Sequence, residues 1–350
     1  MILIYIIFAL HSFLSIDAID LKSCAKWNTT GVTIIGSNSP GNASHQLNQP
    51  QGMFLHAATN SLYVVDTGNN RIQMFLLDQP STTGSTVIAN LGSMYAVYVD
   101  DDDDMTMYIA RRFENRVEKW IKGTSRGEQV GDQCKQCRDV KMDREKNIYM
   151  IESGTHTLRK WSTKTNTSTR VAGRTDELGR TTERLYFPAN FYLNSENNVL
   201  YITDTMNNRI QKWNLSSSEG ITVAGANDGH SGNDASTLAN PLYVWVDETT
   251  NIIYIVDTDN DRIQRWLPNQ SIGTTIIGEA GNLFCVKDLI FVFLLGRGNA
   301  NNQLKRPTAL TFDNLGNLYV CDSKNHRIQL FALIDNQACI INHSHALFVK

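Results

Sequence analysis

Proline is scarce in this chain, 7 in 350 residues, and no apolar run is long enough to span a bilayer. The longest run, residues 1–10 (MILIYIIFAL), stops well short of the roughly 20 residues a spanning helix needs. Neither charge is in excess: 32 Lys and Arg face 35 Asp and Glu, for a net charge of −3. That balance excludes the bulk electrostatic drive toward nucleic acid or an anionic membrane surface. Metal and nucleophile signatures are missing too. Cys134-x-x-Cys137 has no second CxxC, no histidine pair has helical or knuckle spacing, and there is no GxSxG. No cofactor, metal site or catalytic residue is therefore expected. What is present is 41% hydrophobic residues against 19% charged, enough for a core and too apolar for wholesale disorder. With 23 glycines and 33 asparagines, the chain reads as many short elements joined by tight turns.

The apolar run at residues 1–10, followed by the small residue Ala18, has the length and form of a secretory signal spanning residues 1–18. It carries no Lys or Arg ahead of the apolar stretch, so an uncleaved N-terminal tether is the alternative. Secretion predicts that some of the 6 cysteines are oxidised.

The dominant feature is an internal repeat. Six segments align without gaps: 62–75 (LYVVDTGNNRIQMF), 107–120 (MYIARRFENRVEKW), 148–161 (IYMIESGTHTLRKW), 200–213 (LYITDTMNNRIQKW), 253–266 (IYIVDTDNDRIQRW) and 318–331 (LYVCDSKNHRIQLF). Each is a hairpin by pattern, a β-prone run and a polar turn before an alternating strand that closes on Trp or Phe. A β-prone run such as YAVYV or YVWV precedes each hairpin, and a run such as TRVAG or ITVAG follows all but the last. The sixth copy of the following run is 31–36 (GVTIIG), ahead of the first hairpin. Four-stranded units that cannot bury their faces alone do so when arranged radially. The expected fold is all-β, a six-bladed β-propeller over residues 31–335, its ring closed by strand 31–36 completing the last blade. Residues 19–30 and 336–350 would flank it.

The pattern of aromatic strand, Asp-Ser/Thr, Asn-x-Arg-Ile-Gln and closing aromatic resembles the NHL repeat, with the second copy degenerate because Arg111 replaces the acid. The resemblance implies a propeller but not one function, since such propellers serve in protein binding, RNA binding, sensing and, in one relative, lyase chemistry. Three readings follow. The first is a secreted, non-enzymatic recognition module that binds an extracellular protein or carbohydrate through one face. The second is a secreted metal-dependent enzyme, amidating-lyase-like or lactonase-like. The third is an intracellular protein of RNA or ubiquitin pathways. The lyases need histidines near the axis, whereas the inner strands here begin with Gly52, Ala96, Asp139, Asn190, Tyr243 and Ala309. The apparent signal and the absent basic excess oppose the third.

The recurring acid is Asp66, Glu152, Asp204, Asp257 or Asp322, and the recurring cation Arg71, Arg116, Arg209, Arg262 or Arg327. Blade 2 lacks the acid and blade 3 the Arg, with Thr157 in its place. If each acid met the Arg of the next blade, both losses would fall in one pair. The expected pairs are thus Asp66–Arg116, Glu152–Arg209, Asp204–Arg262, Asp257–Arg327 and Asp322–Arg71. The aromatics Phe75, Trp120, Trp161, Trp213, Trp266 and Phe331 are expected in the packing between sheets. Cys24–Cys339 would lock the closed ring, Cys134–Cys137 would close a local loop, and Cys321 would be a buried thiol. The run Asp100–Asp104 needs solvent or a counter-cation.

Acceptor sequons stand at Asn28, Asn42, Asn166, Asn214, Asn269 and Asn342. Asn166, Asn214 and Asn269 fall in turns between the third and fourth strands, on one face. Glycans there would leave the opposite face for a partner, with Arg111, Arg112, His156, His230 and His326 on it. Finally, residues 283–295 (LFCVKDLIFVFLL) stretch the last inter-blade connection to 29 residues, from Gly278 to Pro307, against 14–16 elsewhere. The segment is either a functional insertion or a translated in-frame intron, expected to leave the ring as an excursion with Cys285 unpaired.

Overall fold

Each hairpin in the repeat recruits a strand on either side, and six antiparallel four-stranded sheets result. The computed structural model describes residues 20–337, apart from 79–82, 101, 103–104, 279–283, 287–288 and 292–296; for 284–286 and 289–291 it describes strand pairing alone. The expected signal segment, Asp101, Asp103, Asp104, Cys339 and Asn342 lie outside the described residues.

Blade 1 comprises Gly52–His56, Ser61–Asp66, Arg71–Leu76 and Ser85–Ile88. Blade 2 runs from Met94–Val99 to Glu128–Val130, and blade 3 from Cys137–Met142 to Thr167–Gly173. Blade 4 spans Phe191–Asn194 to Gly220–Gly225, and blade 5 Pro241–Val246 to Thr274–Ile277. Blade 6 has three strands from the end of the chain, Ala309–Phe312, Leu318–Asp322 and Arg327–Phe331. Its fourth is Val32–Gly36, paired antiparallel with Arg327–Phe331. The ring is therefore closed by the N-terminal strand, as the offset sixth copy requires. Lys26–Trp27 adds a second tie by pairing with Leu333–Asp335.

The core is six clusters rather than one, each lying between two blades and each containing one signature aromatic. Trp120 packs between blades 1 and 2, Trp161 between 2 and 3, Trp213 between 3 and 4, and Trp266 between 4 and 5. Phe331 and Phe75 complete the circuit. Burying such rings supplies about 1.5–3 kcal/mol each by area, so blades are held by their neighbours more than by themselves. The outer strands of blades 3, 4 and 5, like the closing strand of blade 6, end at glycines with positive φ. At Gly225 (φ 83°) a Cβ would lie 2.4 Å from the Asn208 carbonyl oxygen, so only glycine fits.

Trp27 anchors the N-terminal segment below blades 5 and 6, against Tyr254 and Phe312, with its Nε1–H donated to the Gly316 carbonyl at 2.8 Å. Residues 284–286 and 289–291 pair with each other in a two-stranded sheet, separate from the blade sheets.

Candidate ligand site on the propeller axis

The repeat's polar residues hold loops. Asp257 Oδ2 accepts from Arg262 Nε at 2.7 Å and from Asn260 Nδ2 at 2.8 Å, while Oδ1 accepts the Ala239 N–H at 2.7 Å. The Arg262 fork then reaches back to the carbonyls of Asn233, Asp234 and Thr237, in the loop that enters its own blade. The same latch forms with Asp66–Arg71 at 2.7 Å and with Asp204–Arg209 and Asp322–Arg327 at 2.8 Å. The expected inter-blade pairing is thus wrong. Each Arg closes on the acid directly opposite it in its own hairpin, because antiparallel register places them side by side.

The two irregular blades resolve the charge differently. In blade 2, Arg111 occupies the acid position and Glu118 the usual Gln position. Glu118 receives Arg111 Nη1 at 2.8 Å, Arg116 Nε at 2.7 Å and Trp120 Nε1 at 2.9 Å. In blade 3, Glu152 does not meet Arg209; its Oε2 accepts the hydroxyls of Thr155 and Thr157 at 2.8 and 3.3 Å.

A second device joins successive blades. The residue after each acid is Ser or Thr; after four of the acids its hydroxyl bonds a carbonyl at or just before the start of the next inner strand, and after Asp322 the Ser323 hydroxyl accepts Gln51 Nε2 at 3.2 Å. Thr67 donates to Met94 O at 2.9 Å, Thr205 to Pro241 O at 2.8 Å and Thr258 to Pro307 O at 2.9 Å. Ser153 does so to Pro188 O. Blade 2 has Arg112 there instead.

These contacts relocate most of the expected binding face. Arg111 is buried in the Glu118 network. His156 Nδ1 accepts the Phe187 N–H at 3.3 Å and His326 Nδ1 the Gln49 N–H at 3.1 Å. Asn115, Asn208 and Asp261 accept equivalent bonds from Gln136, Asn240 and Arg306. Both histidines are therefore neutral loop staples, their pKa values lowered mainly by burial. His230 stays exposed beside Asp228. Arg112 lies over the ring of Tyr95, its guanidinium carbon 5.2 Å from the centroid. Elsewhere, Asp100 and Asp102 are countered by Lys146 at 2.7 and 3.0 Å, so an ammonium supplies the cation that loop needs. Cys134 and Cys137 are bonded, and Cys321 is buried and unpaired. Cys24 is also disulfide-bonded, and its N–H donates to Gln337 O at 3.0 Å.

A cavity of about 330 Å3 lies on the axis, lined by residues of all six inner strands and their approaches, from Gln51 to Ala57 in blade 1 and between Thr308 and Asn314 in blade 6. The structure starts four of the inner strands elsewhere than expected, at Met94, Cys137, Phe191 and Pro241, and the cavity takes its character from the residues two positions beyond Gly52, Ala96, Asp139, Asn190, Tyr243 and Ala309. Phe54, Tyr98, Lys141, Tyr192, Trp245 and Thr311 share one side of the pleat, giving four aromatic rings and one cation around the axis. Phe54 and Tyr98 meet edge-on at 5.3 Å, and Trp245 meets Tyr192 at 6.1 Å. That alternation was readable in the sequence, but only if each inner strand was followed past its first residue.

Beside this collar, Asp139 Oδ2 receives Lys141 Nζ at 2.9 Å, Asn190 Nδ2 at 2.7 Å and the Phe191 N–H at 3.2 Å. Burial opposes the Lys141 charge, yet the Asp139 carboxylate beside it leaves its pKa raised. At the upper end, register shifts insert an extra residue in the inner strands of blades 2, 3 and 5. The extra residues, Tyr95, Arg138 and Leu242, all line the cavity. Among the described residues, no group of three or more metal-ligating side chains converges anywhere.

The NHL repeat family matches residues 304–331, the last hairpin with the loop that enters it. With that match and the six-bladed ring, the assignment is settled. The chain is an NHL-repeat β-propeller. No curated protein matches this propeller in sequence. Among solved structures it is similar to an auxiliary nutrient binding protein from Bacteroides thetaiotaomicron, 14% identical, with a TM-score of 0.66 over 87% of this chain and 76% of that one. It is similar to virginiamycin B lyase from Staphylococcus aureus, 13% identical, TM-score 0.53, covering 85% and 99%. A gluconolactonase from Xanthomonas campestris is 12% identical, TM-score 0.59, covering 91% and 97%. Such distant likeness shows the shared fold alone.

Proposed function

We propose that this NHL propeller is a secreted, non-enzymatic recognition module whose ligand enters the axial cavity from the face carrying the NNR turns. The observation that carries the reading is the cavity itself, a polar upper end above an aromatic collar, which is the make-up of a binding pocket. The nutrient binding neighbours agree with a binding role. The opposite face suits glycosylation: Asn166 and Asn269 are exposed in turns between third and fourth strands, and Asn214 is exposed at the end of a third strand. No helix among the described residues is long and apolar enough to cross a membrane.

An enzyme on this scaffold would need a free base in the cavity, and the lyase and lactonase neighbours make that the second reading. Asp139 is a poor candidate, because three donors already converge on its Oδ2. N-terminal sequencing and glycopeptide mapping of native protein test the compartment. A start near residue 19 and glycans at the three sites are expected; empty sites and an intact leader would contradict it. Metal analysis of the same material tests the enzyme reading, with no stoichiometric zinc or calcium expected.

A further inference from the structure

Lys141 has its carboxylate partner in Asp139, but two cations around the Tyr95 ring have none among the described residues. Arg138, the extra residue of blade 3, lines the cavity, yet its side chain makes no hydrogen bond or ion pair among the described residues. Arg112, at the position that holds Ser or Thr in the other blades, donates among the described residues only to the Tyr95 hydroxyl at 3.2 Å and Gln136 Oε1 at 3.3 Å. Its Nε is buried without a partner. The two guanidinium carbons lie 5.2 and 5.3 Å from the Tyr95 ring centroid. An Arg left half-buried without an acid is costly, and a second beside it more so. Burial, with the charge of Arg112 added, pushes Arg138 down to about 10, a sign of an uncompensated positive site.

Asp139, the next residue in the chain, is engaged by Lys141, Asn190 and Phe191 instead. The surroundings are also fixed in place. The Cys134–Cys137 disulfide ends one residue before Arg138, and the Asn115 side chain accepts the Gln136 N–H at 2.8 Å. A prearranged pair of guanidinium forks above aromatic rings is complementary to an oxyanion carried on an apolar or ring-bearing body.

We propose that the axial cavity takes a small anionic ligand, whose carboxylate, phosphate or sulfate group sits between Arg112 and Arg138 while its ring packs toward Tyr98, Tyr192 and Trp245. This rests on the cavity being the binding site, as proposed above. It adds the sign of the charge and the residues that read it.

The test uses one naphthalene body with four head groups: 2-naphthoate, 2-naphthyl phosphate, 2-naphthyl sulfate and neutral 2-naphthamide. Binding to the full secreted chain is measured by ligand-observed NMR and calorimetry at fixed salt. At least one oxyanion form is expected to bind about tenfold or more tightly than the amide, the scale of a charged hydrogen bond. The form that binds best tells carboxylate from phosphate and sulfate. Arg138→Gln should bring the oxyanion affinity to within about twofold of the amide, leave amide binding unchanged, and leave thermal stability equal or higher. A structural residue would instead lose stability and weaken all four probes together. Amide binding equal to that of the oxyanions in the wild-type chain overturns the anion inference and leaves the cavity reading standing. Failure of every probe to bind, or binding that survives Thr311→Trp, which fills the cavity, overturns both.

Discussion

Blades 1, 4, 5 and 6 and blades 2 and 3 share one backbone plan and spend their polar residues differently. In the first group an acid, an Asn and an Arg form a closed latch on the entering loop, and a Ser or Thr staples the next blade. In the second group the latch is rewired through Glu118 or left without its Arg at Glu152, and in blade 2 Arg112 replaces the staple that blade 3 keeps at Ser153. The two uncompensated guanidinium groups, the disulfide and the Asp139–Lys141 pair all lie in or beside blades 2 and 3. The difference teaches that regularity in the repeat marks structure, and that departures from it mark where the ring carries something else. Arg111 is the exception, a departure that Glu118 compensates internally.

The largest effect that would break this comparison lies in a regular blade. Asp257→Ala strands the buried Arg262 and should cost about 3–5 kcal/mol in urea unfolding. Glu152→Gln in blade 3 leaves no paired cation behind and should cost about 1 kcal/mol. Equal losses would mean the blades are not held differently. In blade 2, Arg111→Asp alone should destabilise strongly, because it faces Glu118. Adding Glu118→Gln should recover most of the loss by rebuilding the regular latch.

Next in size is a pH effect on the upper loops. His156 and His326 accept backbone N–H groups through Nδ1 and have pKa values below the ordinary 6.5. The unfolded chain therefore binds protons first on acidification. Their contribution is complete above about pH 6.5 and is lost as pH falls through the folded values. His326→Asn, which keeps an acceptor as Asn208 does, should flatten the melting temperature between pH 7 and 5 relative to wild type. An unchanged profile would remove the staple assignment.

The smallest effect concerns residues 283–295. Asn325 Nδ2 bonds Gly298 O at 2.7 Å, just as Asn260 bonds Gly232 O at 2.8 Å, so the loop entering blade 6 is complete without them. We propose that they are an insertion outside the ring, and deleting them should change stability by no more than about 0.5 kcal/mol. Transcripts joining Asn282 directly to Gly296 would show a gene-model intron, and native peptides covering 291–295 would refute one.

The blade count, the closure by residues 31–36 and the interfacial aromatics were legible because hydrophobic period and turn chemistry repeat six times. The partner of each Arg was not. Its fork bonds carbonyls 24–29 residues earlier, in loops whose sequences share little, and a coincidence between two missing residues pointed to the wrong blade. His156 and His326 were expected to bind a partner because their turns lie on the face opposite the sequons; in the fold they substitute for Asn and Asp as acceptors. The aromatic collar was visible as alternation in YAVYV and YVWV, but only a closed ring brings such alternations together on one axis.

In each regular blade the acid and the Arg of one hairpin form a single latch. A double-mutant cycle on Asp257 measures it directly, pairing Asp257→Asn first with Arg262→Gln and then with Arg327→Gln. A coupling of about 2–3 kcal/mol is expected with Arg262 and close to zero with Arg327. Comparable or stronger coupling with Arg327 would contradict it and restore the inter-blade arrangement.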